Sequence, residues 1–305
     1  MICYRCLKQL SEEMAKQHGL HEACFREWFA LNSLEDFSNV IVKSSASREK
    51  KKTDDQFTKN SSFFHGKFKK YSANLGGVSY ILKVKDQNYP ELPATEYLCN
   101  QIARCFGINI PNFHFMKFED HLETFVTRNF MQDHSQSNLV HIYHYLQKDE
   151  EFNCENLLRI IEKTTGRLAD IERFLELCLF DSLTGNDDRH GRNLAFIQTK
   201  KGLQLSPFYD NPSYLGTEEE GLLGAQIEPA GAIATSETRE PKMEHYVAEF
   251  IRLGYKEAAV KFREKVNLKD IFDLVEQAFI SQKRKQGMRA LMERRFKELE
   301  KGVGK

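Results

Sequence analysis

The stretch FDSLTGNDDRHGRNLAF, residues 180–196, combines an apolar helical run that ends at a glycine, a tight polar loop and an apolar strand-like run. Within the loop, Asp188 and Asn193 lie five residues apart, with His190 between them. A second acid, Asp210, closes the short apolar run LSPFYD. A carboxylate that accepts a hydroxyl proton, with an amide and a second carboxylate that hold Mg²⁺, is the set that phosphoryl transfer needs. The stretch therefore predicts a catalytic and metal-binding loop.

Length and composition limit the class of protein to which this loop can belong. The 305 residues suffice for one two-lobed enzyme or roughly two domains. Lys+Arg and Asp+Glu are both 44, so global charge favours neither nucleic acid nor an anionic membrane as a partner. No run reaches the roughly 18 apolar residues of a membrane helix, and residues 1–6 lack a signal pattern. Seven cysteines, an odd number, indicate a reducing compartment. We expect a cytoplasmic location, or delivery into a host cytosol.

The first thirty residues carry two cysteine and histidine pairs. Cys3 and Cys6 form one pair, and His21 and Cys24 form the other. Thiolate and imidazole ligands at this spacing are typical of a structural zinc site, although His18 could replace His21. The alternative is a small helical cap with free thiols. In either case the apolar patch Phe25, Trp28 and Phe29 is expected to dock residues 1–30 onto the rest of the chain.

A polar segment separates this part from the first predicted lobe. Residues 44–60 are rich in serine and mixed charge, which predicts a linker. Residues 61–132 are expected to form a nucleotide-binding lobe, in which a hairpin turns at residues 76–77. A lysine on the second strand, Lys83, could reach nucleotide phosphates. Strand position alone favours an ordinary exposed strand lysine, and Lys85 is also available.

A helix is predicted from residue 94 to a C-cap at Gly107. Glu96 in its first turn suits the helix dipole, or it could pair with Lys83 and hold that lysine under the phosphates. Two further strands are expected at residues 108–115 and 124–130, followed by a hinge at 132–135. A helical lobe is expected over residues 133–305, with helices near residues 157–161, 171–180, 245–253, 256–265, 268–280 and 284–300, and a long loop at 217–238.

In this order, Lys83, Glu96, Asp188, Asn193 and Asp210 resemble the signature of the HipA-type Ser/Thr toxin kinases. The short N-terminal part resembles the HipT-like members. The resemblance covers about residues 60–300, and its most specific parts are GNDDRHGRN at 185–193 and PFYD at 207–210. It implies an α+β, two-lobed protein-kinase-like fold with a small β-rich N-lobe and a mainly helical C-lobe.

The resemblance also implies a role for each matched residue. Asp188 would be the base or the group that orients the acceptor hydroxyl, and Asn193 and Asp210 would hold Mg²⁺. Lys83, anchored by Glu96, would contact the phosphates of ATP. The backbone around Gly66, with His65 and Lys67 beside it, would cover those phosphates.

One departure from the family concerns the loop before the hairpin. The family has Ser-aliphatic-Ser-Gly there, whereas this chain has FFHG at residues 63–66. Autophosphorylation is therefore expected, if anywhere, at Ser61 or Ser62 just upstream. The resemblance further implies an aminoacyl-tRNA synthetase as substrate and an antitoxin of the HipB or HipS type as partner, without direct nucleic acid binding.

Three alternatives remain at this point. Asp187 competes with Asp188 for the role of base, and Asp188 is preferred because its five-residue spacing to Asn193 matches. His190 is expected to brace the loop. The chain could be a pseudokinase that binds nucleotide and a partner protein without transferring phosphate. It could also be a small-molecule phosphotransferase, because that fold uses a similar loop.

Overall fold

The computed structural model describes residues 1–43, 69–119, 121–134, 138–147, 150–200, 202–218 and 228–304. The predicted linker at 44–60 lies outside these residues, as do Ser61, Ser62, His65, Gly66 and Lys67. A β-rich N-terminal half precedes a mainly helical C-terminal half, so the chain is α+β. Among the described residues, none of the helices has the length and apolarity that crossing a bilayer requires.

The N-terminal half is built on an antiparallel five-stranded sheet. Its strands are β1 (Ser38–Lys43), β2 (Lys70–Leu75), β3 (Val78–Val84), β4 (Phe113–Phe118) and β5 (Leu122–Arg128), in the spatial order β1-β2-β3-β5-β4. The β2–β3 hairpin turns at Gly76 and Gly77, which have φ of 56° and 76° and so need glycine. Because β3 is the central strand, both of its faces are covered, and residues 80–84 are all buried.

Helix α3 (Leu92–Cys105) packs on this sheet. It begins two residues earlier than predicted, because Pro93 sits in its first turn, where the missing N–H costs nothing. Gly107, with φ of 70°, follows its end. The strand predicted at 108–115 was wrong in its bounds: β4 runs from Phe113 to Phe118, and Pro111, which has no N–H to donate to a neighbouring strand, lies before its start. The strand predicted at 124–130 runs instead from Leu122 to Arg128, since a 3₁₀ turn begins at Phe130.

The C-terminal half is a group of helices with a small sheet. The helices are α4 (Cys154–Thr165), α5 (Leu168–Thr184), α6 (Met243–Arg252), α7 (Lys256–Lys265), α8 (Leu268–Gln277) and α9 (Gln282–Val303). The sheet has the order β6 (Asn138–His141), β7 (Ala195–Thr199) and β8 (Gly202–Leu205). Helix α5 is buried along most of its length and ends at Gly185 in the left-handed conformation, φ 73°. A side chain there would also meet Leu291 at 2.7 Å, so the sequence needs glycine where the predicted catalytic loop begins.

The N-terminal segment forms a compact knuckle, by which we mean residues 1–31. Two short helices, α1 (Glu12–Gln17) and α2 (Glu22–Phe29), follow a turn that holds Cys3 and Cys6. Phe25 and Phe29 are buried and belong to the same apolar core as the sheet. The backbone N–H of Lys117 on β4 donates to the carbonyl of His18 at 2.9 Å, which fixes the knuckle on the sheet edge.

Candidate active site

Lys83 and Glu96 form a buried ion pair at the centre of the sheet. Lys83 Nζ donates to both carboxylate oxygens of Glu96 at 2.6 and 2.7 Å, and both side chains are less than a tenth exposed. The alternative of an exposed strand lysine is therefore wrong, because β3 is covered on both faces. Lys85 is instead 37% exposed and pairs with Glu123 just beyond the end of β3. The pair aims a fixed ammonium group at the space between the two halves of the chain.

Asp210 reaches the same ammonium group from the C-terminal half. It ion-pairs with Lys83, and its other oxygen lies 3.6 Å from Lys70 Nζ. Asp210 has φ of 51°, a left-handed conformation that a non-glycine residue holds only where its surroundings impose it. Lys70 is 2% exposed and was not among the predicted site residues. Counting outward from the two-residue turn would have found it, since Lys70 is paired with Lys83 across the hairpin.

The four charges in this cluster set each other's protonation. Burial alone would lower the pKa of Lys83, but the attraction of Asp210 and Glu96 outweighs it and raises that pKa. Burial alone would raise the pKa of Asp210, but Lys70 and Lys83 hold it well below its usual range. Burial lowers the pKa of Lys70 despite the nearby carboxylates. Lys83 therefore stays cationic and Asp210 anionic at neutral pH, as binding of a phosphate and a divalent cation requires.

The loop that follows α5 carries the other predicted residues. Asn193 is buried, and its Nδ2 donates to the backbone carbonyl of Asp188 at 2.8 Å. The side chain of Asp188 is 59% exposed, so it can meet an incoming substrate. Nδ1 of His190 accepts from the backbone N–H of Arg192 at 3.2 Å, a contact that braces the loop. Asp187 is the exposed neighbour of Asp188. The Asn193 side chain makes its hydrogen bond to the backbone carbonyl of Asp188, not to that of Asp187.

Arg189 joins this loop to the segment that carries Asp210. Its guanidinium is 1% exposed and bidentate to Asp181 of α5, at 2.8 and 2.9 Å. It also donates to the backbone carbonyls of Tyr209 at 2.7 Å and Asn193 at 3.3 Å. The residues just before Asp210 and the backbone of Asn193 are therefore held by one side chain. Nothing in the sequence signals this role, because an arginine that directly follows two acids in a polar loop is normally solvated.

A chain of amides extends this network to α3. Arg189 donates to Asn211 Oδ1 at 2.6 Å, and Asn211 Nδ2 donates to Asn100 Oδ1 at 3.1 Å. Asn100 Nδ2 in turn donates to the carbonyl of Glu96 at 2.8 Å. All of these side chains are buried. The two halves of the site are thus fixed relative to each other by hydrogen bonds between neutral and charged partners.

A cavity opens beside the ion-pair cluster. Its lining is mainly apolar and includes the charged residues Lys83, Glu96 and Asp210. The other lining residues are Ile81, Asn100, Pro111, Phe125, Thr127, Arg128, Phe130 and Tyr209. Lys83 in its lining, and Lys70 beside Asp210, are placed to bind phosphate oxygens.

The predicted zinc ligands come together in the knuckle. The ligand atoms of Cys3, Cys6, His21 and Cys24 all lie within 4.8 Å of one another. His21 presents Nδ1 to the thiols, 3.4 Å from Cys6 Sγ, and its Nε2 lies 2.9 Å from the carbonyl of Gln9. His18, the alternative ligand, is wrong: it stacks on Phe25 at 4.5 Å, and burial lowers its pKa.

Solved structures share this fold at low sequence identity. A Helicobacter pylori proinflammatory kinase, CtkA, matches 77% of this chain and 93% of its own, with a TM-score of 0.65 and 16% identity. The Shewanella oneidensis MR-1 HipA structure, solved with HipB and operator DNA, matches 74% of this chain and 58% of its own, with a TM-score of 0.53 and 15% identity. The predicted two-lobed, kinase-like α+β fold is confirmed.

The sequence comparisons reach the same family. The serine/threonine-protein kinase toxin HipA of Shewanella oneidensis is 25% identical over 173 residues, which cover 48% of this chain and 40% of that protein. The match thus spans less than half of that relative's length. The HipA-like C-terminal domain profile matches residues 48–283, more than half of the chain. The chain belongs to the HipA-like C-terminal domain family.

Proposed function

We propose that this protein is an ATP- and Mg²⁺-dependent Ser/Thr protein kinase. The observation that carries the proposal is the buried cluster of Lys83, Lys70, Glu96 and Asp210, which Arg189 ties to the catalytic loop. A fixed ammonium group at Lys83, a second buried lysine beside it and a carboxylate kept anionic suit a nucleotide triphosphate with its cation. Family membership and the kinase-like fold support the same conclusion.

Each residue of the site has a role in the proposed reaction. Lys83 and Lys70 bind phosphate oxygens, and Glu96 orients Lys83. The oxygens of Asp210 and Asn193 are the hard ligands that Mg²⁺ prefers, and the ion would neutralise charge on the phosphates when bound. Asp188 orients the acceptor hydroxyl and takes its proton as the hydroxyl oxygen bonds to the γ-phosphorus and the bond to ADP breaks. The catalysis is mainly positioning and charge stabilisation.

The biological setting is proposed from the relatives. The Shewanella oneidensis relative is named a toxin, and its solved structure holds an antitoxin, HipB. We extend both to this chain: a toxin kinase of HipT-like type, held by a HipB- or HipS-type antitoxin, that phosphorylates an aminoacyl-tRNA synthetase. Autophosphorylation at Ser61 or Ser62, phosphate coverage by His65, Gly66 and Lys67, and a cytoplasmic location stay predictions.

Phosphate transfer from γ-labelled ATP to a host lysate tests the proposal. Lys83→Met should lower labelling by about 100-fold or more, because the phosphates lose a preorganised cation. Lys85→Met is the matched control two residues along the chain, since Lys85 is half-buried and pairs with Glu123 rather than with the buried cluster, and it should label within a few-fold of wild type.

Two results would contradict the kinase proposal. ATP binding without labelling of any protein would favour a nucleotide-binding module. Labelling of alcohols or sugars, but of no protein, would favour a small-molecule phosphotransferase.

We also propose that the knuckle holds one structural zinc ion. Three sulfurs and one nitrogen fit a tetrahedral site, whose bond lengths of about 2.3 and 2.0 Å place the ligand atoms about 3.5–3.8 Å apart. Cys24 Sγ already lies 3.8 Å from His21 Nδ1. The contact of His21 Nε2 with the carbonyl of Gln9 would fix the ring and its tautomer, as protein zinc sites commonly do.

Metal analysis of the purified protein measures this directly. We expect about one equivalent of zinc in the wild type, and a loss of most of it in Cys6→Ser. Cys105→Ser is the control, because Cys105 is an exposed cysteine on α3, away from the knuckle. A wild-type content under about 0.2 equivalents would rule out the zinc site.

A further inference from the structure

The knuckle packs directly behind the helix that carries Glu96. Trp28 on α2 is half-buried, with its ring centroid 5.4 Å from that of His114 on β4 and 6.4 Å from that of Tyr97 on α3. Tyr97 is the next residue after Glu96. Phe29 adds a contact with His114 at 4.5 Å. The apolar face of α2 is thus in contact with the rear of the ion-pair site.

Tyr4 connects the knuckle to both halves of the chain. It is adjacent to Cys3 and only 7% exposed. Its ring packs edge-on against Phe115 of β4 at 4.9 Å and against Phe279, which follows α8, at 4.7 Å. Its hydroxyl donates to Glu123 of β5 at 3.2 Å. A single side chain next to a metal ligand therefore touches the sheet and the helical half together.

An aromatic stack carries this contact to α3. Phe115 stacks on Tyr97 at 5.2 Å and on Phe279 at 5.6 Å, with interplanar angles of 25° and 10°. Tyr4 lies on the edge of that stack, and Trp28 approaches Tyr97 from the knuckle. Packed aromatic rings have little freedom to move independently, so a shift of Tyr4 or Trp28 displaces Tyr97.

The knuckle is too small to hold this arrangement by itself. A unit of roughly 30 residues rarely buries enough apolar surface to fold without a metal, disulfides or a partner. The four ligands join the turn at Cys3 and Cys6 to the start of α2. Binding of a metal would therefore order the positions of Tyr4 and Trp28, because metal binding and local folding are one process in such units.

We infer that Tyr4 and Trp28 are positioning residues for phosphoryl transfer. A metal ion in the knuckle holds these two side chains against the aromatic stack behind Glu96. The inference rests on the zinc and nucleotide sites proposed above. The metal would then favour the arrangement of α3 in which Glu96 holds Lys83 at the phosphates. Because coupling between two sites is reciprocal, ATP should also strengthen retention of the metal.

The chain provides its own reporter for this coupling. Trp28 is the single tryptophan, so intrinsic tryptophan fluorescence reports directly on the contact between the knuckle and α3. We would titrate the full-length protein with a zinc-selective chelator in excess Mg²⁺, with and without ATP. We expect zinc release to shift the tryptophan emission reversibly to longer wavelength and to weaken ATP binding about tenfold. We also expect that more chelator is needed to release the zinc when ATP is present.

Variants that keep all four metal ligands separate positioning from metal loss. Tyr4→Ala should retain its zinc but raise the KM for ATP by about tenfold, whereas Tyr4→Phe, which loses only the bond to Glu123, should change it less than threefold. Glu22→Gln is the control within the knuckle, because Glu22 is exposed and pairs only loosely with Arg26, at 3.7 Å. Its KM should equal that of the wild type.

The possible outcomes distinguish this inference from the zinc-site and kinase proposals on which it rests. Unchanged ATP affinity after zinc release, or an unchanged KM in folded, zinc-loaded Tyr4→Ala, would overturn it. A wild type without zinc would overturn it together with the metal site, but would leave the kinase proposal standing. A wild type that binds ATP yet labels nothing would overturn the kinase proposal and the role in phosphoryl transfer. The coupling between the knuckle and ATP would still be tested by fluorescence and ATP affinity, which need no turnover.

Discussion

Asp188→Asn is expected to lower the rate of phosphate transfer by about 1,000-fold, while ATP affinity changes less than threefold. The asparagine keeps the shape of the side chain but cannot accept the proton of the acceptor hydroxyl. The Asp188 side chain is 59% exposed, so we expect stability to change by no more than about 0.5 kcal/mol. Single-turnover transfer from labelled ATP and equilibrium ATP binding measure the two effects separately.

Asp187→Asn is the matched control for this variant. Both aspartates are exposed neighbours in one loop, and the sequence favours Asp188 as the base only through its five-residue spacing to Asn193. The carbonyl of Asp188 is held by Asn193, which fixes that residue beside a proposed metal ligand. We expect Asp187→Asn to retain most activity. The reverse pattern, with Asp188→Asn active and Asp187→Asn inactive, would assign the role of base to Asp187.

Arg189→Met is expected to destabilise the protein by about 3–5 kcal/mol and to abolish transfer. It leaves Asp181, which is 3% exposed, as a buried charge without its bidentate partner. It also removes the bonds that hold the backbones of Asn193 and Tyr209. Denaturant unfolding measures the free energy, and labelling at a temperature where the variant is folded measures the activity.

A second substitution separates the two effects of losing Arg189. Asp181→Asn combined with Arg189→Met removes the unpaired charge, so stability should partly return while activity does not. Arg192→Met is the control within the loop, because Arg192 is exposed and its guanidinium lies over the Tyr143 ring. Equal stability of Arg189→Met and Arg192→Met would contradict the role given to Arg189.

The sequence predicted well those features that depend on local pattern. The glycine pair at 76–77 predicted the hairpin, and the apolar spacing after Pro93 predicted α3. Together these place Lys83 and Glu96 on neighbouring elements. The spacing of Cys3, Cys6, His21 and Cys24 likewise predicted a cluster that the fold assembles.

Features that depend on tertiary context were not predictable in the same way. Strand β1 was missed because it is exposed, with Val40, Ile41 and Val42 at 38–54% exposure, and lacks the alternation of a half-buried strand. Lys70 and Arg189 carry no local signal of burial, since charged residues are normally solvated. Their burial follows from partners far along the chain, Asp210 and Asp181.

The choice between His18 and His21 shows the same limit. Both histidines have ligand spacing to the cysteines, and the sequence left them as alternatives. The fold decides, because His21 lies at the N-terminus of α2 facing the thiols, while His18 packs on Phe25. Ligand choice in the knuckle thus depends on helix placement, which spacing alone does not give.

The central claim is that Asp210 and Asn193 share one Mg²⁺ with ATP beside Lys83. Calorimetric titration of ATP into wild type and Asp210→Asn, each with and without Mg²⁺, tests it most directly. We predict that Mg²⁺ tightens ATP binding by about tenfold or more in the wild type and has little effect in Asp210→Asn. Equal ATP affinity in the wild type with and without Mg²⁺, or an equal response to Mg²⁺ in both proteins, would contradict the claim.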